Sequence, residues 1–193
     1  MSCTHLLYLH GFRSSPQSTK AQITLKAVGQ RYPATQVLCP ALAPSPKRAM
    51  QALESALAGW PTKSMAIIGS SLGGFYATYL AERYGCKAVV LNPAVFPARD
   101  LSAHLGDQQV WQDPGSHFVF ERRYLDELVQ MEVKAITHAQ RYLAVIAKGD
   151  ELLDWREMAA HYALANTVLL DGSDHALSDY TDHLDTVLNF VFN

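Results

Sequence analysis

The stretch from Met65 to Tyr84 constrains the fold of this chain more than any other part of it. It opens with Ala66, Ile67 and Ile68, an apolar run that predicts a strand buried on both faces, as in a parallel sheet. The letters G-S-S-L-G-G follow, and apolar residues then recur at helical spacing up to Gly85, where a helix can stop. We therefore expect a buried strand that turns sharply into a helix.

Within this turn, Gly69, Ser71 and Gly73 occupy the fixed positions of G-x-S-x-G, the nucleophile elbow. The pentapeptide alone also arises in ordinary Ser/Gly turns, so the buried strand before it and the helix after it carry the argument. An elbow lifts its serine hydroxyl above the sheet on a strained backbone. We predict that Ser71 is a nucleophile and that the N–H of Leu72, near the helix N-terminus, stabilises an oxyanion. Ser70 lies off the centre of the elbow and is expected to pack or hydrogen-bond locally.

The rest of the chain alternates short apolar runs with amphipathic segments. Helices are expected to start at Ser15-Pro16 and Ser45-Pro46, and Asp154 with Glu157 resembles a capping box. Five further strands are predicted, at residues 6–9, 37–39, 88–91, 142–147 and 167–170. This alternation predicts an α/β fold with a parallel sheet and helices on both faces. In such a sheet, reactive residues gather at the carboxyl ends of the strands.

Residues from about 95 to 140 interrupt this alternation. They contain Trp111, Phe118 and Phe120, a Pro-Gly pair at residues 114–115 and a predicted helix from Tyr124 to Val133. An excursion of this length inside a compact domain is usually functional, so we expect a cap over the carboxyl edge of the sheet. Its aromatic residues argue against a disordered linker. They would line an acyl pocket or form the cap's own core.

Composition narrows the class of protein. The 193 residues are expected to form one domain, because 49% are hydrophobic and the formal net charge is only −2. This balance gives no overall drive toward nucleic acid or anionic membranes. No segment has the roughly 20 apolar residues that span a bilayer, and no signal peptide is evident, so we expect a cytoplasmic location.

The sequence gives no sign of a metal site or a disulfide framework. Cys3, Cys39 and Cys86 are odd in number and lack C-x-x-C spacing, so they are expected to be buried thiols. The histidines do not form an H-E-x-x-H motif, and we predict neither a metal nor a cofactor. The oligomeric state is left open.

Three residues in three different loops fit one mechanism. A serine hydroxyl needs a neighbouring base, which is itself oriented by a carboxylate. In α/β-hydrolases the order along the chain is serine, acid, histidine, each after a strand. Ser71, Asp150 and His175 follow the predicted third, fifth and sixth strands in this order. Glu151 and Asp154 compete for the acid, but Glu151 is one residue further from the strand and Asp154 has an explanation as a helix cap.

The first predicted strand ends at His10-Gly11-Phe12. An oxyanion hole needs a second backbone N–H from the loop after this strand, and Phe12 is our candidate donor. Gly11 lets the loop approach the reacting carbonyl, and His10 is expected to hold the loop. Arg13 and Lys20 can meet an anionic group or be solvated surface charges. His10, Gly11 and Arg13 are the predicted substrate contacts. The loop lacks the G-K-[ST] order of a P-loop, so nucleotide hydrolysis is rejected.

Five blocks of sequence carry a resemblance to a known family. They are Y-L-H-G-F-R-S-S-P-Q-S-T-K-A, G-S-S-L-G-G-F-Y-A-T, L-N-P-A-V, G-D-E-L-L-D and G-S-D-H-A. In these blocks the chain resembles the YqiA-like esterases, small bacterial members of the α/β-hydrolase superfamily. The resemblance implies a shortened hydrolase core of about six mainly parallel strands. It also implies hydrolysis of carboxylic esters or acyl-CoA thioesters, and by position it gives the same Ser71, Asp150 and His175.

We therefore expect a serine hydrolase that acts on a small-molecule ester or acyl thioester through an acyl-enzyme. One alternative is a non-catalytic binding protein on a hydrolase fold, since fold does not guarantee activity. Such a protein would be expected to lack at least one member of the triad. Another alternative is a serine hydrolase of an amide or C–C bond, which would have the same triad.

Overall fold

The computed structural model describes residues 3–193, which include a sheet of six strands. Their bounds are β1 (His5–Leu9), β2 (Gln36–Leu38), β3 (Met65–Ser70), β4 (Lys87–Leu91), β7 (Tyr142–Ala147) and β8 (Asn166–Leu170). The order across the sheet is β2-β1-β3-β4-β7-β8, and every neighbouring pair is parallel. Two further strands, β5 (Gly106–Val110) and β6 (Asp113–Phe120), pair with each other in an antiparallel hairpin. The predicted parallel sheet is confirmed.

In the described part of the chain, seven α-helices accompany these strands. They are α1 (Thr19–Arg31), α2 (Pro46–Ala56), α3 (Leu72–Tyr84), α4 (Pro97–Asp100), α5 (Arg122–Val129), α6 (Trp155–His161) and α7 (Tyr180–Phe192). Short 3₁₀ helices cover Leu101–His104 and Ala139–Arg141. Within residues 3–193, no helix is both long and apolar enough to cross a membrane.

The two predicted Ser-Pro helix starts have different outcomes. Ser45 caps α2, where its hydroxyl accepts a hydrogen bond from the N–H of Arg48 at 3.2 Å. Ser15 does not cap α1, because its hydroxyl accepts from the N–H of Gln17 at 3.1 Å in a turn that precedes the helix. The first helix therefore begins at Thr19, three residues after Pro16, and the prediction of its start was wrong.

The predicted capping box at α6 is correct in only one of its two residues. The Asp154 carboxylate caps the helix by accepting from the N–H of Arg156 at 2.9 Å. Glu157 does not reach back to the cap. It forms two hydrogen bonds of 2.7 Å with the guanidinium of Arg99 in α4. This ion pair joins α6 to the segment inserted after β4.

Side-chain alternation along the strands divides the core between the two faces of the sheet. In β1, Leu6 and Tyr8 pack with α1 and α7, whereas Leu7 and Leu9 pack with α2, α3 and α6. All four side chains are buried. A strand covered on both faces needs a continuous apolar run, which is why β1, β3 and β7 could be recognised from sequence.

The inserted segment, residues 92–141, is packed against the body of the molecule. Glu127 of α5 accepts hydrogen bonds from the Ser45 hydroxyl at 2.7 Å and from the N–H of Lys47 at 2.9 Å. Phe120 and Leu128 are buried in the same core as α2 and α3. The helix predicted at residues 124–133 is observed two residues earlier at its start and four earlier at its end.

Candidate active site

The register of the sheet aligns the carboxyl ends of its strands. Leu9 pairs with Gly69, and Ser70 pairs with Leu91 in the next strand pair. In the outermost pair, β7 and β8, Ala147 pairs with Leu170. The loops that follow β1, β3, β4, β7 and β8 therefore meet along one edge, where the predicted site residues lie.

Ser71 lies in the turn between β3 and α3 with a strained backbone. Its φ of 55° and ψ of −121° are rare for a residue with a side chain. The two glycines of the motif are required by packing: a Cβ on Gly69 would lie 2.1 Å from the carbonyl oxygen of Gly73, and one on Gly73 would lie 2.1 Å from that of Leu9. The backbones of β1, β3 and α3 approach one another so closely around the serine that only glycine fits at these two positions.

The structure brings the three predicted triad residues into one hydrogen-bonded chain. Nε2 of His175 lies 3.1 Å from Oγ of Ser71, and Nδ1 lies 2.8 Å from Oδ2 of Asp150. The Asp150 side chain is fully buried, and that of His175 is 12% exposed. A carboxylate only accepts hydrogen bonds, so Nδ1 carries the proton and Nε2 is left to accept from the Ser71 hydroxyl.

The second oxygen of the Asp150 carboxylate fixes its orientation. Oδ1 accepts hydrogen bonds from the N–H groups of Leu152 and Leu153, at 2.9 and 2.8 Å. The two other candidates for the triad acid, Glu151 and Asp154, have different hydrogen-bond partners. Glu151 accepts from the backbone N–H of His175 at 2.9 Å, and Asp154 caps α6. Of these three carboxylates, only that of Asp150 is hydrogen-bonded to the imidazole.

The loop after β1 lies against the serine. A Cβ on Gly11 would be 3.2 Å from Cβ of Ser71 and 3.7 Å from its Oγ, so a small residue allows this approach. The N–H groups of Phe12 and Leu72 donate to no acceptor within residues 3–193. Both are therefore available to a developing oxyanion.

His10 is buried beneath this loop as a neutral imidazole. Its Nδ1 lies 3.0 Å from the carbonyl oxygen of Gly11, and Nε2 lies 3.3 Å from the backbone nitrogen of Leu42. A backbone N–H can only donate, so Nε2 accepts and Nδ1 carries the proton. Burial lowers the pKa of His10, which favours this neutral form.

The β5–β6 hairpin is anchored on the same loop through Arg13. Nε of Arg13 donates to the carbonyl of Gln109 at 3.0 Å, and the Arg13 carbonyl accepts from the N–H of Trp111 at 2.9 Å. The guanidinium also lies over the Trp111 ring, 5.3 Å from its centroid. Arg13 thus has structural partners in the hairpin, and a substrate contact for it stays a prediction.

The aromatic residues of the inserted segment separate into two environments. The ring of Phe12 packs edge-on against Phe118 and Phe120, with centroids 5.6 and 5.1 Å apart. Phe120 is fully buried, whereas Trp111 is 54% exposed beside Arg13. The two phenylalanines therefore build an apolar wall behind the Phe12 loop, and Trp111 lies at the surface.

The cysteines do not offer a competing nucleophile. Burial raises the pKa of Cys39 to about 11 and that of Cys86 to about 12, so both are protonated at neutral pH. Cys3 and Cys86 are buried as predicted, but Cys39 is only partly covered. In the described part of the chain, no group of three or more histidine, cysteine or acidic residues is arranged to hold a metal ion.

Sequence reasoning overlooked two residues at this edge. Asn92 was given no role from the sequence, and Lys20 was expected to meet an anionic group or to be a solvated surface charge. Both donate hydrogen bonds to the loop that carries His175. A polar residue directly after a buried strand and before Pro93 was the one available signal for Asn92. Lys20 had none, because its partner is 156 residues away in the sequence.

Comparison with known proteins identifies a family for this chain. The model of the uncharacterised protein family UPF0227 matches residues 5–192. The chain belongs to this family. The resemblance to YqiA-like proteins noted in the sequence is thereby confirmed, since this is the YqiA family.

Solved structures similar to this member of UPF0227 share its fold at low sequence identity. Est1E from Butyrivibrio proteoclasticus is 15% identical with a TM-score of 0.71, over 98% of this chain and 86% of that one. The esterase domain of a Rhodothermus marinus protein is 22% identical with a TM-score of 0.65, over 97% and 85%. Mouse alpha/beta hydrolase domain-containing protein 10 is 12% identical with a TM-score of 0.71, over 98% and 91%. These similarities confirm the predicted α/β-hydrolase fold.

Proposed function

We propose that the protein is a serine hydrolase that cleaves a small-molecule carboxylic ester or acyl thioester through an acyl-enzyme. One observation carries the proposal: the hydrogen-bonded chain from Asp150 through His175 to Ser71, with distances of 2.8 and 3.1 Å. This is the arrangement that activates a serine hydroxyl. The esterases among the solved neighbours support the same class of reaction.

In the first half-reaction, Oγ of Ser71 attacks the substrate carbonyl while Nε2 of His175 takes its proton. The N–H groups of Phe12 and Leu72 stabilise the oxyanion of the tetrahedral intermediate. The intermediate collapses to an acyl-enzyme, and the imidazolium gives its proton to the departing alcohol or thiol. Asp150 keeps the imidazole in the correct tautomer and stabilises its charged form.

In the second half-reaction, water replaces the leaving group. Nε2 of His175 takes a proton from the water as its oxygen attacks the acyl carbonyl. The second tetrahedral intermediate releases the carboxylic acid and returns the proton to Ser71. Phe118 and Phe120 pack against the ring of Phe12, whose backbone N–H is the proposed second oxyanion donor. In this proposal residues 95–140 form a cap that belongs to the same single catalytic domain.

A fluorophosphonate probe tests the nucleophile directly. We expect one covalent adduct by intact mass on the wild type and on Ser70→Ala, and none on Ser71→Ala. Panels of p-nitrophenyl esters, acyl thioesters and anilides then define the bond and the acyl length. A folded wild type that forms no adduct and turns over no substrate would refute the hydrolase. Labelling that persists in Ser71→Ala would refute the choice of serine.

A further inference from the structure

The loop between β8 and α7, which carries His175, is held in place from outside. Ser173 has a φ of 65° and Leu177 a φ of 49°, a left-handed backbone that is unfavourable for residues with side chains. The backbone carbonyls of three consecutive residues, Asp174, His175 and Ala176, each accept a hydrogen bond from a side chain elsewhere in the chain. The strained loop is therefore stabilised by groups that it does not itself contain.

Two of these three carbonyls are bound by Asn92. Nδ2 of Asn92 donates to the carbonyls of Asp174 and His175, at 2.9 and 3.2 Å. Its Oδ1 accepts from the N–H of Ala147, at 2.8 Å, at the end of the strand that leads to Asp150. The side chain is fully buried with its backbone at a φ of 41°. One amide thus connects the strand that presents the acid to the loop that presents the base.

The third carbonyl is bound by Lys20 of α1. Its ammonium donates to the carbonyl of Ala176, the residue directly after His175. Burial lowers the pKa of Lys20 to about 8, against the opposing effect of the Asp174 and Asp150 carboxylates. The amine is therefore still largely charged at pH 7, and a charged donor forms the stronger kind of hydrogen bond.

We propose that Asn92 and Lys20 are positioning residues that act through His175. By binding the carbonyls of residues 174–176 they fix the imidazole at hydrogen-bond distance from both Asp150 and Ser71. The inference rests on the proposed hydrolase function, since it explains how that triad is kept aligned. A displacement of about 1 Å at a reacting group can lower the rate about 100-fold. Loss of these hydrogen bonds would let the His175 loop move, and we therefore expect it to lower mainly kcat.

Two substitutions remove these donors with little change of shape. Asn92→Asp keeps the oxygen that accepts from Ala147 and a residue type that tolerates positive φ, but places an oxygen opposite two carbonyls. Lys20→Met keeps the aliphatic stem without the ammonium. We expect kcat for a p-nitrophenyl ester, and the rate of fluorophosphonate labelling, to fall about 10- to 100-fold in each variant with little change in KM.

Matched controls come from the same residue types away from the site. Asn166→Asp removes an amide that donates to the carbonyl of Tyr142 at 3.1 Å, at the opposite end of the strands. Lys26→Met removes an exposed lysine from the same helix as Lys20. Both controls should keep the wild-type kcat. Equal losses in the controls and in the site variants would overturn the proposal.

A second measurement separates positioning from general stability. The Nδ1 proton of His175, held by a carboxylate, should give a far-downfield proton NMR signal in the wild type and in the controls. We expect this signal to broaden or disappear in Asn92→Asp and Lys20→Met at temperatures where both are folded. If Asn92→Asp does not fold, the partly exposed Lys20 still provides the test. A folded variant that keeps both signal and rate, or that loses rate while keeping the signal, would overturn the proposal.

The NMR signal also distinguishes the two proposals from each other. It reports the alignment of His175 with Asp150 whether or not a substrate is turned over. A wild type with the signal but without hydrolysis would refute the proposed function alone. If the wild type hydrolyses the ester and Asn92→Asp and Lys20→Met both keep the NMR signal, the positioning inference alone would be refuted.

Discussion

Replacing Asp150 with asparagine should reverse the tautomer of His175. The carboxylate accepts three hydrogen bonds, one from the imidazole and two from the N–H groups of Leu152 and Leu153. In the amide, only the oxygen can accept from those two N–H groups, so the NH2 group is turned toward Nδ1. Nδ1 must then accept, and the imidazole proton moves to Nε2, where it faces the hydroxyl of Ser71. His175 can no longer take the serine proton.

The expected loss follows from this geometry. A wrong tautomer in a serine triad lowers kcat by about 10⁴-fold, which corresponds to about 5.5 kcal/mol in the activation free energy. The fold should be little affected, because the shape of the side chain and two of its three hydrogen bonds are retained. The assay is kcat/KM for a chromogenic short-chain ester near pH 7.5, with thermal unfolding measured on the same samples.

Glu151→Gln is the matched control for this prediction. Glu151 accepts from the backbone N–H of His175, and an amide oxygen can accept the same hydrogen bond. Its kcat/KM should stay within about threefold of the wild type, as for an exposed substitution worth about 0.5 kcal/mol. The reasoning is refuted if Asp150→Asn keeps more than a tenth of the activity, or if Glu151→Gln loses as much.

Three further predictions concern stability. Tyr8→Phe should raise the free energy of unfolding in urea by about 1 kcal/mol, because the buried hydroxyl has no hydrogen-bond partner within residues 3–193; a loss would mean that it has one. Gly73→Ala should lower it by about 3 kcal/mol or more, because the new Cβ would lie 2.1 Å from the carbonyl oxygen of Leu9; a neutral result would refute that packing argument. Burial lowers the pKa of His10 in the folded protein below its ordinary value of 6.5. As the pH drops through this range, His10 is protonated more readily in the unfolded chain than in the folded protein, so the free energy of unfolding should fall between pH 7.5 and pH 5. The fall should be smaller in His10→Gln, and equal slopes would contradict the assignment.

The strands and the order of the site residues could be predicted because their signals are local. A strand buried on both faces is a continuous apolar run, and the elbow requires glycine at positions where a Cβ would collide with backbone. The positions of Ser71, Asp150 and His175 then follow from the rule that loops after parallel strands meet at one edge. The structure brings these three side chains together.

The features that could not be predicted depend on distant contacts or on weak patterns. The β5–β6 hairpin was not expected, because β5 (G-D-Q-Q-V) and the start of β6 (D-P-G) have no apolar alternation. Its turn lies at residues 111–112, and the Pro-Gly pair lies inside β6. The contact of Arg13 with Gln109 spans 96 residues of sequence, and that of Asn92 with the Asp174 carbonyl spans 82. Contacts between residues so far apart in the sequence cannot be predicted from the local periodicity of apolar residues.

The separation of the partners along the chain has a consequence for biosynthesis. The elbow strand β3 pairs with β1 and β4, which are all made within the first half of the chain. The imidazole that meets Ser71 comes 104 residues later, and the Lys20 contact joins residues 156 apart. A nascent chain can therefore form the elbow while its serine is still an ordinary alcohol. In the proposed mechanism, Ser71 becomes nucleophilic only after the segment that carries His175 has been made and has folded back onto β4 and α1. Labelling of Ser71 by a fluorophosphonate would then mark the completion of folding.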